Sequence, residues 1–409
     1  MAQCHSMADP VHSPPGTRKR IPYSCQSIDD DDIAAVTHAM RAPFLTQGPS
    51  TVQFEADAAS YIGAGRAVAV SNGTAALHLL CLALGLNEKS LIWTSPISFV
   101  ASANAARYVG ASVDFVDVDP DTGCIDPRAL EAKLIAASAC HELPDMIIAV
   151  HLAGHTFGFN QVAQLCATYG ITLIEDAAHA FGAVYQHDMT LKVGAHPLSA
   201  AATFSFHPLK SITTGEGGMI TTNCDTLADS LAQFRSHGIT KDPDAMRNMR
   251  PDDGGWYYEQ HDLGYNYRLC DIQAALGISQ LRKLDSFMTA RRARANRYSD
   301  LLKEIPLKLP VKTDASSWHL FAARIDRERT NLTRRALFDY LRAHAIEAHV
   351  HYIPIHTQPY YRGLGFNPGD FPKAEAYYDT CLSLPIYPQM TDDEQDYVAE
   401  TIKEAFAGA

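Results

Sequence analysis

Apolar positions along the chain switch between two periods. Ala67–Val70, Leu91–Trp93, Ser112–Val116, Met146–Val150 and Thr172–Ile174 are short apolar or β-branched runs, and Ala201–Phe206 and Gly218–Thr221 follow the same pattern. Between them, Thr74–Leu84, Phe99–Tyr108 and Gln161–Tyr169 carry helical patterns. Buried β-rich runs separated by helices of about ten residues predict βαβ units and a mostly parallel sheet. No internal repeat is evident.

The flanks read differently. Asp29 to Asp32 precede Ile33-Ala34-Ala35-Val36. Acids in a first turn suit the helix dipole, so this run predicts a helix start rather than a metal cluster. After Gly277 there is no Gly or Pro until Pro306, and Ile272, Leu276, Leu281 and Leu284 suggest long helical structure over 270–305. Arg291, Arg292, Arg294 and Arg297 are expected to form a solvated face of it. Residues 310–409 mix a strand-like Leu320–Ile325, a helix-like Arg334–Ala343 and a loop rich in Tyr, His and Pro. The predicted organisation is a flexible tail over 1–20, a large domain over 21–270, then a linker helix and a smaller C-terminal α/β domain over 271–409.

Composition narrows the function classes. The 409 residues are 46% hydrophobic and 20% charged, which fits two globular domains and excludes wholesale disorder. The net charge of −12 argues against a general nucleic-acid or anionic-membrane binder, though a few local Arg or Lys can still hold an anionic small substrate. The uncharged stretch Ala67–Asn87 contains Ser71, Asn72, Gly73, Thr74 and His78, which a spanning helix rarely carries together. Met1–Arg20 has no apolar core of the secretory type. The nine cysteines form no CxxC pair, so reduced, cytoplasmic thiols are expected, and the sequons at Asn72 and Asn331 then carry no glycan.

No Walker A pattern occurs, and Gly63-Ala64-Gly65 precedes a strand instead of following one, so neither nucleotide-loop reading holds. Four other segments bear chemistry. Ser71-Asn72-Gly73-Thr74 follows a strand and opens a helix, where free N–H groups and the Thr74 hydroxyl suit a phosphate. Taken alone it is a weak signal, and an ordinary N-cap is the better reading of it. Glu175-Asp176 ends a hydrophobic strand, at the edge where open α/β sheets bind ligands. A carboxylate there can hold a protonated ring nitrogen or simply cap a turn. Lys210 lies just beyond a buried strand, where lost hydration lowers an amine's pKa and makes it a Schiff-base former. Thr213–Gly218 is a small-residue turn that lets another group come close, or a plain loop.

Together these segments are far more specific than any one of them. The order of phosphate turn, strand-end Asp and post-strand Lys resembles the fold-type I pyridoxal phosphate (PLP) aminotransferases. SNGTAAL, EDAAHAFGA, SFHPLKSITTGEGG and GYNYR resemble, more narrowly, the DegT/DnrJ/EryC1/StrS sugar aminotransferases. The likeness runs from about Ile21 to the C-terminus. IPYSCQSIDDDDI, FLTQGP and WTSPISFVASANAARYVGASVDFVDVDPDTGCID look closest to the transaminases of the pseudaminic acid pathway.

That resemblance implies roles. Lys210 would be the Schiff-base lysine, Asp176 the partner of the pyridine nitrogen, and His179 a neighbour of the ring near its phenolic oxygen. Phe99 would stack on the ring, and Gly73, Thr74 and Ser205 would hold the phosphate. Asn266 would reach the phosphate of a neighbouring subunit, which makes a homodimer with shared sites. Thr46, Gln47, His351, Tyr352 and His356 would face the substrate, and the His349–His356 run reads as a substrate loop and not as a metal site. L-Glutamate would be the donor and C4 of a UDP-linked 2-acetamido-2,6-dideoxy-4-ketohexose the acceptor, through a ping-pong cycle with pyridoxamine phosphate. Related sugar 3-dehydratases carry His where this chain has Lys210, so the lysine favours transamination. The competing readings are an aminotransferase for another nucleotide-linked keto-sugar, a PLP-dependent dehydratase, and a PLP-binding regulator without turnover.

Overall fold

The computed structural model describes residues 20–250 and 252–408. The expected tail over 1–20 therefore lies outside the described residues, apart from Arg20. In chain order the strands are β1 (Arg66–Val70), β2 (Leu91–Thr94), β3 (Ser112–Phe115), β4 (Met146–Val150), β5 (Thr172–Asp176), β6 (Val184–Tyr185), β7 (Asp188–Lys192), β8 (Ala201–Ser205), β9 (Gly218–Thr222), β10 (Ile239–Thr240), β11 (Glu259–Gln260), β12 (Leu307–Lys308), β13 (Phe321–Ile325) and β14 (Cys381–Leu384). Seven of them build the central sheet in the order β1-β9-β8-β5-β4-β2-β3. The pairs β3–β2, β2–β4, β4–β5 and β5–β8 are parallel. β9 runs antiparallel to both β8 and β1, because the chain after β8 turns back without a crossover helix.

Strand residues alternate between two cores. Ala69, Ile147, Leu173 and Met219 face one layer, which also holds Phe54, Trp93 and Phe204. Val70, Ile148, Ile174 and Ile220 face the other, with Leu77, Leu80 and Ala105 from the covering helices. Burial on both faces explains why these strands read as unbroken apolar runs. The acid run at Asp29 does start a helix, Asp30–Met40. The Asp29 carboxylate accepts from Asp32 N–H at 3.2 Å, and Asp32 returns the bond to Asp29 N–H at 3.1 Å.

β12, β13 and β14 form a smaller antiparallel sheet with its own core of Tyr298, Trp318, Phe321, Leu382 and Ile402. Ile21 also packs into this core. The helix Leu284–Leu302 links the cores, since Leu284, Phe287 and Met288 enter the first while Ala295, Tyr298 and Leu302 enter the small one. This corrects the reading of the basic stretch. Arg291 falls on the same buried stripe and is only 1% exposed. Its guanidinium donates to the carbonyls of Trp318, His319 and Ile386 at 3.1–3.4 Å. Arg292, Arg294 and Arg297 do lie on the outer face, paired with Asp314, Asp392 and Asp396. Among the described residues no helix is long and apolar enough to cross a membrane.

Candidate active site

The carboxyl ends of β1, β4, β5 and β8 converge on a cavity of ≈ 790 Å³, closed from the opposite side by Tyr23 and the segment His349–Tyr352. At β1 the chain leaves the sheet through Ser71 and Asn72. Asn72 is extended and caps the helix Gly73–Ala83, its side-chain oxygen accepting from Ala75 N–H at 2.8 Å. Among the described residues the N–H groups of Gly73 and Thr74 have no acceptor, so they point positive helix-end charge at the cavity. Two glycines make this cradle possible. A Cβ on Gly73 would stand 3.1 Å from Ser205 Cβ, and one on Gly218 would stand 2.5 Å from the Asn72 carbonyl carbon. The glycine-rich turn after Lys210 thus lets β9 press directly on the cradle.

At β5 the two acids part company, because neighbouring strand residues point to opposite faces. Glu175 goes into the core, where it takes the His151 imidazole at 2.6 Å and the Tyr185 hydroxyl at 2.8 Å. Asp176 faces the cavity. Its Oδ2 accepts from the Ser102 hydroxyl at 2.5 Å and its Oδ1 from Ala178 N–H at 3.2 Å.

His179 continues the same turn. Its Nδ1 accepts from the backbone N–H of Ala153 at 3.3 Å, so its ring proton sits on Nε2 and is donated to the Tyr352 hydroxyl at 3.1 Å. Burial, together with the charge of Lys210, pushes the His179 pKa well down and keeps the ring neutral. Tyr352 already accepts this bond, which leaves its own O–H free to donate into the cavity. His351 beside it accepts from or donates to Ser383 Oγ at 2.9 Å, and burial pushes its pKa down to about 3.

Beyond β8 the chain makes a turn closed by Lys210 N–H on the His207 carbonyl at 2.9 Å. The turn carries the Lys210 side chain into the cavity. Among the described residues no acceptor meets its Nζ. Loss of hydration pushes the Lys210 pKa down to about 8, with the Asp176 charge opposing the shift. At pH 7 roughly a tenth of such an amine is neutral, against well under a thousandth for an ordinary lysine. An anion cradle, a buried carboxylate and a partly neutral lysine therefore share one cavity. They fit a phosphorylated aromatic aldehyde that carries a basic ring nitrogen.

Comparison with known proteins agrees with this geometry. Residues 26–403 match the model of the DegT/DnrJ/EryC1/StrS aminotransferase family. The chain belongs to that family. It is 36% identical to the spore coat polysaccharide biosynthesis protein SpsC of Bacillus subtilis, over 95% of this chain and 98% of that one. It is also 36% identical to the UDP-4-amino-4,6-dideoxy-N-acetyl-beta-L-altrosamine transaminase of Campylobacter jejuni, over 93% and 96%. Among solved structures, PseC of Helicobacter pylori, an aminotransferase of pseudaminic acid biosynthesis, superposes with a TM-score of 0.85 at 32% identity, covering 96% of this chain and all of that one. The putative sugar aminotransferase Spr1654 of Streptococcus pneumoniae, solved in its PMP form, gives 0.84 at 26%, over 95% and 99%.

In this sugar aminotransferase the cavity brings together Lys210, Asp176, His179, Gly73, Thr74, Phe99, Ser205, His351 and Tyr352. Phe99 is 59% exposed at its rim. Other expected residues stand elsewhere. Thr46, Gln47 and Asn266 are exposed outside this cavity. His356 is fully buried, bonded to Glu375 at 2.9 Å and packed edge-on against Phe371, so it holds its loop together and does not line the cavity. Sequence reading missed Tyr23, His78, Ser98, Ser102, Tyr108 and Tyr267. Only His78 left a usable signal, one helical turn after Thr74. Among the described residues no group of three His, Cys, Asp or Glu is placed to hold a metal ion.

Proposed function

We propose that this enzyme uses PLP to move the amino group of L-glutamate to C4 of a UDP-linked 2-acetamido-2,6-dideoxy-4-ketohexose, in a ping-pong cycle. The observation that carries the chemistry is the Lys210 amine, unpartnered among the described residues, in one cavity with Asp176 and the open helix end at Gly73. When bound, the cofactor supplies an electron sink for the carbon that loses its proton.

The residues have separate tasks. Gly73, Thr74 and Ser205 bind the phosphate. Asp176 holds a proton on the ring nitrogen, which strengthens the sink. Lys210 Nζ would carry the cofactor between turnovers, and its amine would then take the proton from the donor's α-carbon and return it to the cofactor carbon two bonds away, across the nitrogen. Phe99 covers the ring face. His179 and Tyr352 form a donor chain that ends in the Tyr352 hydroxyl, which would offer its proton to the ring's phenolic oxygen or to the substrate. His351 lies on the sugar side.

The C4 keto-sugar acceptor rests on the likeness to the altrosamine transaminase and PseC; the equal identity to SpsC makes other nucleotide sugars the alternative outcome. Two subunits share each site, with Asn266, Thr46 and Gln47 contributing across the interface; their exposed positions outside the cavity suit that task. A reaction of this kind draws on cytoplasmic nucleotide sugars and glutamate. The test is NMR of products from UDP-keto-sugars and ¹⁵N-glutamate. Label at C4 of the 2-acetamido-4-keto sugar supports the reading. Label at C3, or turnover of other sugars only, contradicts it.

A further inference from the structure

Asp176 is not held by backbone alone. Ser102 Oγ lies 2.5 Å from Asp176 Oδ2, and Ser98 Oγ lies 2.6 Å from Ser102 Oγ. Ser98, Ser102 and Asp176 are 4%, 0% and 6% exposed. Ser102 lies in the first turn of the helix Ala101–Tyr108, and Ser98 lies in the bend just before it, which folds the Ser98 hydroxyl back onto that of Ser102. Each hydroxyl has a single proton. The Ser102 proton has two acceptors in reach, Asp176 at 2.5 Å and the Phe99 carbonyl at 3.3 Å, and the charged, nearer one wins. Ser102 then can only accept from Ser98. The direction of the chain is fixed: Ser98 O–H donates to Ser102, whose O–H donates to the carboxylate.

We propose that Ser102, backed by Ser98, is a positioning residue for transamination. It locks the plane of the Asp176 carboxylate by holding Oδ2, so that Oδ1 can face the cofactor's ring nitrogen. The bond to Ala178 N–H at 3.2 Å lies at the long end of the usual range and holds only Oδ1, which leaves the plane of the carboxylate to the Ser102 bond on Oδ2. The inference rests on the PLP reading for its purpose, but not for its first test.

That test is isotope-edited infrared spectroscopy of the cofactor-free protein labelled at aspartate carboxyls, with Asp176→Asn identifying the band. Ser102→Ala should shift the carboxylate stretch of Asp176. Ser102→Thr should restore it, and Ser98→Ala should shift it less in the same direction. Because no cofactor is present, failure of the PLP assignment cannot mimic failure here. In protein loaded with ¹⁵N-labelled PLP, Ser102→Ala should move the ring-nitrogen resonance toward the unprotonated position. It should also lower kcat with glutamate roughly tenfold while leaving KM within about twofold, as expected for one charged hydrogen bond. An unchanged carboxylate band in Ser102→Ala, or a Thr variant no better than Ala in that band, would overturn the proposal.

Discussion

Lys210 carries its amine into a cavity where hydration is poor and where, among the described residues, no acceptor bonds it. Its pKa of about 8 in the fold, against 10.5 when solvated, has a testable sign. Between those values the unfolded chain binds more protons than the folded one, so the folded state gains stability as pH rises through that window. Below about pH 8 the full cost of the buried charge is present. Cofactor-free Lys210→Met should therefore be more stable than wild type at pH 7, by ~1–3 kcal/mol after allowance for partial exposure, and the advantage should vanish near pH 10.5. Urea denaturation at several pH values measures it. The same variant should lose amino transfer by at least ~10²–10⁴-fold in single-turnover assays. Tyr352→Phe leaves the His179 Nε2 proton without its acceptor and should lower kcat by about 3–10-fold with the fold intact. Asp176, His179 and Lys210 could be singled out in the sequence because Asp176 ends a strand and the other two lie just past strand ends, each in a recognisable motif. Ser102 and the His179–Tyr352 contact could not. They join residues 74 and 173 positions apart, and only the fold decides that they meet.

At the scale of elements, the strands were legible because both faces are apolar, and most helices from their period. The antiparallel course of β9 was hidden, since strand direction leaves no mark in a five-residue apolar run. The helix Leu284–Leu302 shows the opposite failure. Four nearby arginines suggested one solvated face, yet Leu284, Phe287, Met288, Arg291, Ala295, Tyr298 and Leu302 form one buried stripe. Charge type alone misled, where spacing would have placed Arg291 inside. Arg291→Leu leaves three buried carbonyls without donors and should destabilise the protein by ~3 kcal/mol, read from its urea midpoint. Gly218→Ala places a Cβ 2.5 Å from the Asn72 carbonyl carbon. The turn before Gly73 must then move, so PLP affinity should fall at least about tenfold, measured by fluorescence titration, with a stability loss of about 1–3 kcal/mol.

At the scale of the whole molecule, the central sheet provides the cradle, the carboxylate and the lysine, while Tyr23 and the segment His349–Tyr352 close the cavity from the other side. Two features point past one chain. Phe44, Val52, Trp256 and Leu263 are large apolar side chains 60–79% exposed, and Asn266 lies on the surface. Light scattering should give twice the 44.7 kDa chain mass. Mixing inactive Lys210→Ala with Asn266→Ala protein should restore part of the activity, since one hybrid site then has both residues. A monomer with full activity, or no recovery on mixing, contradicts shared sites.

The central claim is that Lys210 and its neighbours run amino transfer from glutamate on PLP. The most direct measurement is the absorbance spectrum of PLP-loaded protein before and after L-glutamate. The account predicts a visible band from the lysine-bound cofactor that fades on adding glutamate as the near-ultraviolet band of pyridoxamine phosphate grows, with equimolar 2-oxoglutarate released. In Lys210→Ala both the band and the response should be absent. A visible band in the Lys210→Ala protein, or a wild-type band that ignores glutamate, would contradict it.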